Sequence, residues 1–302
     1  MTDAEDVMTL PDRILTLPCW QGRPMGEPLS GGLSNEIWKI TDDAGVHVLR
    51  FGTDYPFHHV NRAREVATSR AAHAAGFAPA VSYDAPGVMV TEFIASVTWT
   101  GADLCADPAR VARLLHAFHT RMPAHVFGEA VLFWPFHVIR DYARTLACAN
   151  SRFAERLPRY LTLSAQMEAA QVPLPIIFGH NDLLPANILD DGTRLWLIDY
   201  EYAGFSTALF DLAGAASNAG MDADQSRVLL TEYFDHTPDA PLMRAFDAMQ
   251  CASLLREAMW AMVSDLYLNA PGVDYGAYAA ENLVRLDTAL DRYQSLHGKL
   301  AP

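Results

Sequence analysis

The sequence predicts an α+β fold of two lobes, with a small β-rich N-terminal lobe (residues 1–94) and a larger α-helical C-terminal lobe (residues 95–302). Three observations support this division. Segments with strand character alternate with turns in the first third of the chain. Helical patterns dominate from Asp107 and Pro108 onward, and a chain of 302 residues is long enough for two domains.

The N-terminal lobe is predicted to contain a β-hairpin, a helix and a further strand. Ile37–Ile40 and Val46–Phe51 are rich in β-branched and aromatic residues, and a polar turn separates them. The alanine-rich segment 61–75 contains neither proline nor glycine, which predicts a helix. Residues 88–94 predict another strand.

The C-terminal lobe follows a hinge near residues 92–98 and is predicted to be mainly helical. Asp107 suits a helix N-cap and Pro108 suits the first helical position, so a helix is expected to begin here. Two short apolar strands, Ile176–Phe178 and Leu195–Ile198, flank a polar segment. Further helices are predicted near residues 137–149, 151–170, 208–218, 223–235, 242–268 and 275–296.

The composition argues against several classes of partner. The chain carries 36 acidic and 22 basic residues, a formal charge of −14, so neither nucleic acid nor a membrane surface is expected as a partner. Such a surface would tolerate a cationic small molecule. The four cysteines are scattered without a CxxC pair, which favours reduced thiols in the cytoplasm over a zinc site. No signal peptide is expected, and no apolar run approaches the ~18 residues of a membrane helix.

The segment His180–Leu189 carries the residues that indicate chemistry. It places His, Asp and Asn at the spacing H-x-D-x4-N, and Asp199 follows the next apolar run. This arrangement is typical of phosphoryl transfer from a nucleotide. Asp182 is the candidate catalytic base for the proton of an acceptor hydroxyl. Asn187 and Asp199 are candidate metal ligands, because Mg²⁺ prefers hard oxygen ligands alongside phosphate oxygens.

Two further polar residues near this segment are expected to be structural. His180 is expected to brace the catalytic loop rather than to act as a base. Asp211 lies at the start of an apolar helix. Because a buried carboxylate needs hydrogen-bond partners, Asp211 is expected to accept bonds from amides of the catalytic loop.

A Gly-rich segment, residues 29–35, supplies candidate nucleotide contacts. It lies between two strands and matches neither the P-loop nor the dinucleotide-binding pattern. Gly31 and Gly32 would let backbone amides approach phosphate groups. Ser34 and Asn35 would add further hydrogen-bond donors.

The strand after this segment is predicted to present an apolar and a basic side chain on one face. Alternation places Val48 and Arg50 on the same side, where they could contact a nucleotide base and its phosphates in one cleft. Glu65, on the following helix, is expected to fix the Arg50 side chain by a charge-assisted pair.

Together these motifs resemble the choline/ethanolamine kinase branch of the aminoglycoside-phosphotransferase-like, protein-kinase-like superfamily. The resemblance implies a bilobal protein-kinase-like fold with ATP between the lobes and Mg²⁺ on its phosphates. It also implies that the backbone of Glu92 to Ile94 faces adenine. Arg50 would contact the phosphates, where protein kinases have a lysine. The matching segments are residues 29–35, 48–50, 91–94, 179–188, 198–204 and 210–213.

The resemblance further implies an acceptor pocket of acidic and aromatic side chains, which hold a quaternary ammonium by ring faces and carboxylates. Animal members have two tryptophans three residues apart in the pocket helix, and this chain has Glu257 in place of the first. They also have a glutamate where Asn218 stands here. Either the pocket carboxylate has moved between elements or the acceptor has changed. The candidate pocket residues are Glu201, Tyr202, Glu257 and Trp260.

The expected function is ATP- and Mg²⁺-dependent phosphorylation of the hydroxyl of a small cationic amino-alcohol, with choline first and ethanolamine second. An aminoglycoside, thiamine or a sugar stays open as the acceptor. A metal-dependent phosphate hydrolase, with His180, Asp182 and Asp199 as ligands, is an alternative from another class. A catalytically silent nucleotide-binding module is a third. The sequence is compatible with a monomer or a homodimer.

Overall fold

An antiparallel five-stranded sheet forms the N-terminal part of the protein. It belongs to a computed structural model that describes residues 10–29, 35–270 and 272–300. The predicted hairpin is present, with Trp38 opposite Leu49. The strands, whose order in the sheet is β1-β2-β3-β5-β4, are β1 (Met25–Leu29), β2 (Glu36–Asp42), β3 (Gly45–Phe51), β4 (Val81–Ala85) and β5 (Val88–Glu92).

One face of this sheet packs on a small hydrophobic core of its own. Ile40 and Leu49 are fully buried there, because alternate residues of β2 and β3 point to the same face. The short helix α1 (Asp12–Leu15) adds Ile14 to this core. Arg50, the next residue after Leu49, therefore points to the other face of the sheet, toward the rest of the protein.

Helix α2 (Arg62–Ala74) joins the sheet to the C-terminal part. Its N-cap is Asn61, whose side chain accepts a hydrogen bond from the backbone of Arg64. Ala72 of α2 is buried in the same hydrophobic cluster as the C-terminal helices. The two parts thus share a core, and a domain boundary at residue 94 stays a prediction.

The long helix α9 (Ala240–Tyr267) lies at the centre of the C-terminal part. Most of its side chains are buried, as is typical of a helix with neighbours on all sides. Among the described helices, none is both long and apolar enough to cross a membrane. The other helices of this part are α3 (Gly101–Ala106), α4 (Pro108–Arg121), α5 (Pro135–Cys148), α6 (Leu157–Ala169), α7 (Ala208–Ala219), α8 (Ala223–Phe234) and α10 (Tyr275–His297), of which α5, α6, α7 and α10 pack against α9.

The starts of two helices test the sequence predictions directly. Helix α4 begins at Pro108 with Asp107 as its N-cap, as the sequence predicted. Helix α6 begins at Leu157, later than the predicted residue 151, after the 3₁₀ turn Ala154–Arg156. Proline is tolerated in the first helical turn but not in the interior, so Pro158 fixes this start.

Two small antiparallel sheets hold the polar segment between them. Their strands include both strands that the sequence predicted around this segment. Residues 180–187 and 198–203 are consequently connecting segments that begin and end on paired strands. The first sheet pairs β7 (Ile176–Gly179) with β10 (Gly204–Thr207), and the second contains β6 (Val97–Thr98), β8 (Ile188–Asp190) and β9 (Leu195–Leu197).

Candidate active site

A buried aspartate fixes the loop that follows β7. The Asp211 carboxylate accepts hydrogen bonds from the backbone N–H groups of His180 and Asn181, both at 2.7 Å. Its Oδ2 atom also lies 2.8 Å from Nε2 of His119. A side chain at Gly179 would come within 2.8 Å of the Asn181 amide oxygen, so this approach requires glycine. The loop backbone is therefore held in one conformation.

The buried His180 side chain is a brace within this arrangement. Its Nε2 atom lies 2.9 Å from the carbonyl oxygen of Ile198. Burial lowers the pKa of His180, so the ring is neutral near pH 7. The Asp211 carboxyl has a lowered pKa despite its burial, because hydrogen bonds such as that from His119 outweigh desolvation. This position suits the structural roles expected for His180 and Asp211.

Asp182 follows this fixed backbone and has a half-buried side chain. Within the described ranges its carboxylate accepts no hydrogen bond. The nearest cation is Arg256, whose Nη1 atom lies 3.7 Å from Asp182 Oδ1. Burial raises the pKa of Asp182 well above its ordinary value; Arg256 opposes this shift, whereas Glu257 and Glu201 add to it. The carboxylate is thus unusually basic and is not engaged by a donor.

Asn187 and Asp199, the predicted metal ligands, are both fixed by backbone geometry. The side-chain amide nitrogen of Asn187 donates to the backbone carbonyl of Asp182 at 2.9 Å. The backbone carbonyl of Asn187 accepts a hydrogen bond from the backbone N–H of Ile198 at 3.1 Å. Asp199 has a φ of 68°, in the left-handed region that non-glycine residues rarely adopt. Such strained positions are concentrated at functional sites.

A network of buried charges connects Asp199 to the N-terminal part. Arg50 donates through Nη1 to Asp199 Oδ1 at 2.9 Å and through Nη2 to Glu65. Arg62 donates through Nη1 to Glu65 at 2.7 Å and to Glu201 at 2.9 Å. Burial would lower the pKa of Arg50, but Glu65 and Asp199 raise it, so the guanidinium stays charged. We call these five residues the interlobe network.

The interlobe network contains three carboxylates and two guanidinium groups. Burial and the neighbouring charge of Asp199 raise the pKa of Glu201 to about 7, although Arg62 opposes the shift. The network therefore lacks one positive charge when all its acids are ionised. No group of three or more His, Cys, Asp or Glu side chains in the described part of the chain suits a metal ion. Mg²⁺ needs only one or two protein ligands beside phosphate oxygens, and the oxygens of Asp199 and Asn187 fit that requirement.

The predicted nucleotide contacts fall partly outside the described residues. Gly31, Gly32 and Ser34 lie outside them. Asn35 is described, and its amide oxygen accepts a hydrogen bond of 2.8 Å from Nη2 of Arg62. The amide of Asn35 therefore braces the interlobe network, and its nitrogen donates to no residue that the structure describes.

The segment after β5 contains backbone N–H groups that make no hydrogen bond to any described residue. Val48 is half-buried on β3 and pairs with Thr91 of β5. The backbone N–H of Glu92 donates to Ala80 at 2.9 Å. Ile94 donates no backbone hydrogen bond to any residue that the structure describes. Its N–H is thus available to a ligand such as a nucleotide base.

Three of the four predicted acceptor residues lie together beside Asp182. Trp260 donates through Nε1 to the Tyr202 hydroxyl at 2.9 Å. Glu257 accepts through Oε1 from the hydroxyl of Tyr278 at 2.9 Å. The ring of Tyr278 lies edge-on to Trp260, with ring centroids 6.3 Å apart. The fourth residue, Glu201, belongs to the interlobe network instead.

Asn218, which stands where the family's glutamate is expected, has a structural contact. Its amide nitrogen donates to the carbonyl of Leu183 at 3.2 Å, within the catalytic segment. Glu257, which contacts Arg256, supplies a pocket carboxylate from α9 instead.

Two arginines of the site were missed by sequence reasoning. Arg62 carries no distinctive local signal, because its partners lie far away in the chain. Arg256 does carry one. It and Glu257 are the charged residues within the otherwise uncharged stretch 248–263 of α9. A charge pair in a buried helix indicates a site.

A sequence profile described as choline/ethanolamine kinase matches residues 27–232, about two thirds of the chain. The chain belongs to the choline/ethanolamine kinase family. It is 26% identical over 275 residues to an Arabidopsis thaliana protein named "Probable ethanolamine kinase", covering 78% of this chain and 72% of that protein. The family assignment supports a small-molecule kinase.

Solved structures agree with this assignment. A choline/ethanolamine kinase family protein from Mesorhizobium loti superposes with a TM-score of 0.74 at 26% identity, covering 95% of this chain and 97% of that one. The choline kinase LicA from Streptococcus pneumoniae has a TM-score of 0.71 at 18% identity, covering 89% and 94% of the two chains. The latter likeness concerns the fold alone. The predicted bilobal protein-kinase-like fold is confirmed.

Replacement of Asp211 tests the fixed loop. Asp211→Asn removes a buried charge from two N–H donors and His119, so the free energy of unfolding should fall by about 2–4 kcal/mol. Because the pKa of Asp211 is lowered in the fold, its stabilising contribution is present above pH about 4 and is lost as the pH falls further. Urea unfolding at pH 7 measures the difference.

The matched control is Asp287→Asn, which alters an exposed ion pair with Arg159. It should change stability by less than about 0.5 kcal/mol. Equal stability of the two variants would contradict the role given to Asp211.

Proposed function

We propose that this chain transfers the γ-phosphoryl group of ATP to the hydroxyl of a small amino-alcohol, with choline and ethanolamine as the candidate acceptors. The observation that carries the proposal is the Asp182 carboxylate, which no described donor engages and which lies beside the acidic and aromatic groups of α9. Sequence relatives named as ethanolamine kinase and as choline kinase support both acceptors. A structure of LicA in complex with AMP supports an adenine nucleotide.

In this reaction Asp182 is the base. The acceptor oxygen forms a bond to the γ-phosphorus while the bond from that phosphorus to the β–γ bridging oxygen breaks, and ADP leaves. The hydroxyl proton passes to the Asp182 carboxylate. Because burial raises the pKa of this group, it holds a proton more strongly than an ordinary aspartate. The fixed loop backbone keeps the carboxylate in place during the transfer.

Charge on the phosphates would be neutralised by residues at the boundary of the two parts. Arg50 is held by Glu65 and Asp199, and its orientation is therefore set before a nucleotide binds. Asp199 and Asn187 would hold Mg²⁺, which when bound supplies charge stabilisation to the phosphate oxygens. The free N–H of Ile94 would contact adenine, with Val48 against the base.

An acceptor panel tests the proposed function. The purified protein should release ADP from ATP and Mg²⁺ when ethanolamine or choline is present, because the pocket beside Asp182 combines a carboxylate with ring edges. Aminoglycosides, thiamine and hexoses should give no release above background. A coupled ADP assay measures the rates. Turnover with one of those compounds alone would contradict the proposal, and phosphate release without an acceptor would favour the hydrolase.

Removal of the proposed base gives a second test. Asp182→Asn should lower kcat by about 10²–10⁴-fold, the usual contribution of general base catalysis, with little change in the KM for ATP. In the native enzyme kcat/KM should fall as the pH drops through the raised pKa of Asp182, since only the carboxylate can accept a proton. Asp287→Asn serves as the control. Near-native turnover of Asp182→Asn would contradict the mechanism.

A further inference from the structure

A buried arginine occupies the side of the pocket where a cationic acceptor is expected. Arg256 lies on α9 and is 3% exposed. Its Nη1 atom donates to Glu257 at 2.8 Å and lies 3.7 Å from Asp182. Its Nε and Nη2 atoms are buried and have no hydrogen-bond partner in the described part of the chain. A guanidinium group with unsatisfied donors needs another source of stabilisation.

Aromatic rings supply that stabilisation. The guanidinium carbon of Arg256 lies 4.5 Å from the ring centroid of Tyr202 and 5.9 Å from that of Phe133. Both distances are within the range of cation–π attraction. Two carboxylates and two ring faces thus surround a cation that belongs to the protein. We call Tyr202, Phe133, Glu257 and Asp182 the arginine cage.

The neighbouring Trp260 ring is also engaged by the protein. It stacks on the His58 ring at a centroid distance of 5.1 Å and an interplanar angle of 24°. Burial lowers the pKa of His58 to about 2, so that ring is neutral. Tyr275 and Tyr278 approach Trp260 edge-on, at 6.0 and 6.3 Å. One face of the indole therefore lies against His58, and the rings of Tyr275 and Tyr278 pack steeply inclined to the indole plane.

Glu257 is the pocket side chain that can accept hydrogen bonds from the amine of the acceptor. Its side chain is 16% exposed, and it accepts one bond from Arg256 and one from Tyr278. A carboxylate has about four acceptor positions, so further N–H donors can bind. An ammonium group with N–H bonds can use them. A quaternary ammonium has no N–H and depends on ring faces, and Arg256 already occupies those of Tyr202 and Phe133.

The charges around the acceptor agree with a monovalent cation. Asp182 and Glu257 carry two negative charges, and Arg256 carries one positive charge. Glu201 and Asp199 are paired with arginines of the interlobe network. Among Asp182, Glu257 and Arg256, one negative charge is therefore left for one ammonium group. Arg256 therefore permits a cationic acceptor but restricts how that cation binds.

Resting on the proposed function, we propose that Arg256 determines acceptor specificity. It fills the arginine cage, so the acceptor is an amino-alcohol whose amine carries at least one N–H and donates it to Glu257. Ethanolamine meets this requirement and choline does not. This reverses the order of acceptors that the sequence led us to expect.

A methylation series of acceptors tests the proposal on the native enzyme. The series is ethanolamine, its N-methyl and N,N-dimethyl derivatives, and choline, all of which are cations near neutral pH. The N,N-dimethyl compound still has one N–H when protonated, whereas choline has none. We expect the largest fall in kcat/KM between N,N-dimethylethanolamine and choline. The fall should be about ten-fold or more, which is the loss that follows removal of a charge-assisted hydrogen bond.

Variants of Arg256 test its part in this preference. Arg256→Met should raise the ratio of kcat/KM for choline to that for ethanolamine by about ten-fold, because it frees the ring faces. Arg256→Lys keeps the charge and should keep the preference for ethanolamine. Arg159→Met, at an exposed ion pair, is the control and should leave the ratio unchanged. A purely structural role would lower both rates equally and leave the ratio constant. If Arg256→Met fails to fold, the methylation series decides alone.

Three results would overturn the proposal. The first is a native enzyme that uses choline as well as, or better than, N,N-dimethylethanolamine. The second is an Arg256→Met variant with an unchanged acceptor ratio. The third is a preference for serine over ethanolamine, since Arg256 would then bind a carboxylate. Failure of every amino-alcohol would instead overturn the proposed function itself, and this inference with it.

Discussion

The structure depends on an excess of negative charge, most of it buried, where the sheet meets the catalytic segment. Glu65, Asp199 and Glu201 meet two guanidinium groups, those of Arg50 and Arg62. Burying a carboxylate costs free energy unless it is paired with a cation. Here three carboxylates are paired with only two guanidinium groups. Burial, together with the neighbouring charge of Asp199, therefore raises the pKa of Glu201. A site of this kind is stabilised by an added cation, which connects the electrostatics of the fold to the proposed chemistry.

The same network sets the geometry of the catalytic segment. Asp199 is held in a left-handed conformation and is tied to β3 through Arg50. On the opposite side, Asp211 holds the backbone before Asp182 through two N–H groups. The proposed base and the proposed metal ligand are thus each fixed by a separate buried charge. Preorganisation of this kind lowers the reorganisation needed during phosphoryl transfer.

The sequence predicted those parts of the site whose signal is local. The spacing from His180 to Asn187 and the flanking strands identify one loop, and strand alternation places Arg50 toward the cleft. The roles of Arg62 and Arg256 depend on partners brought together by folding. Arg62 pairs with Glu201, 139 positions away, and Arg256 faces Asp182, 74 positions away. No periodicity encodes such pairings, so the acceptor pocket was the least predictable part.

Proton release on nucleotide binding tests the central claim about the interlobe network most directly. Calorimetric titration with Mg²⁺·ADP at pH 7, in buffers of different ionisation enthalpy, counts the protons exchanged. Because burial and the charge of Asp199 raise the pKa of Glu201 to about 7, part of the population is protonated there, and an added dication should expel a fraction of a proton per chain. The account predicts this release in the native protein and its loss in Glu201→Gln. The absence of release, or equal release in both proteins, would contradict it.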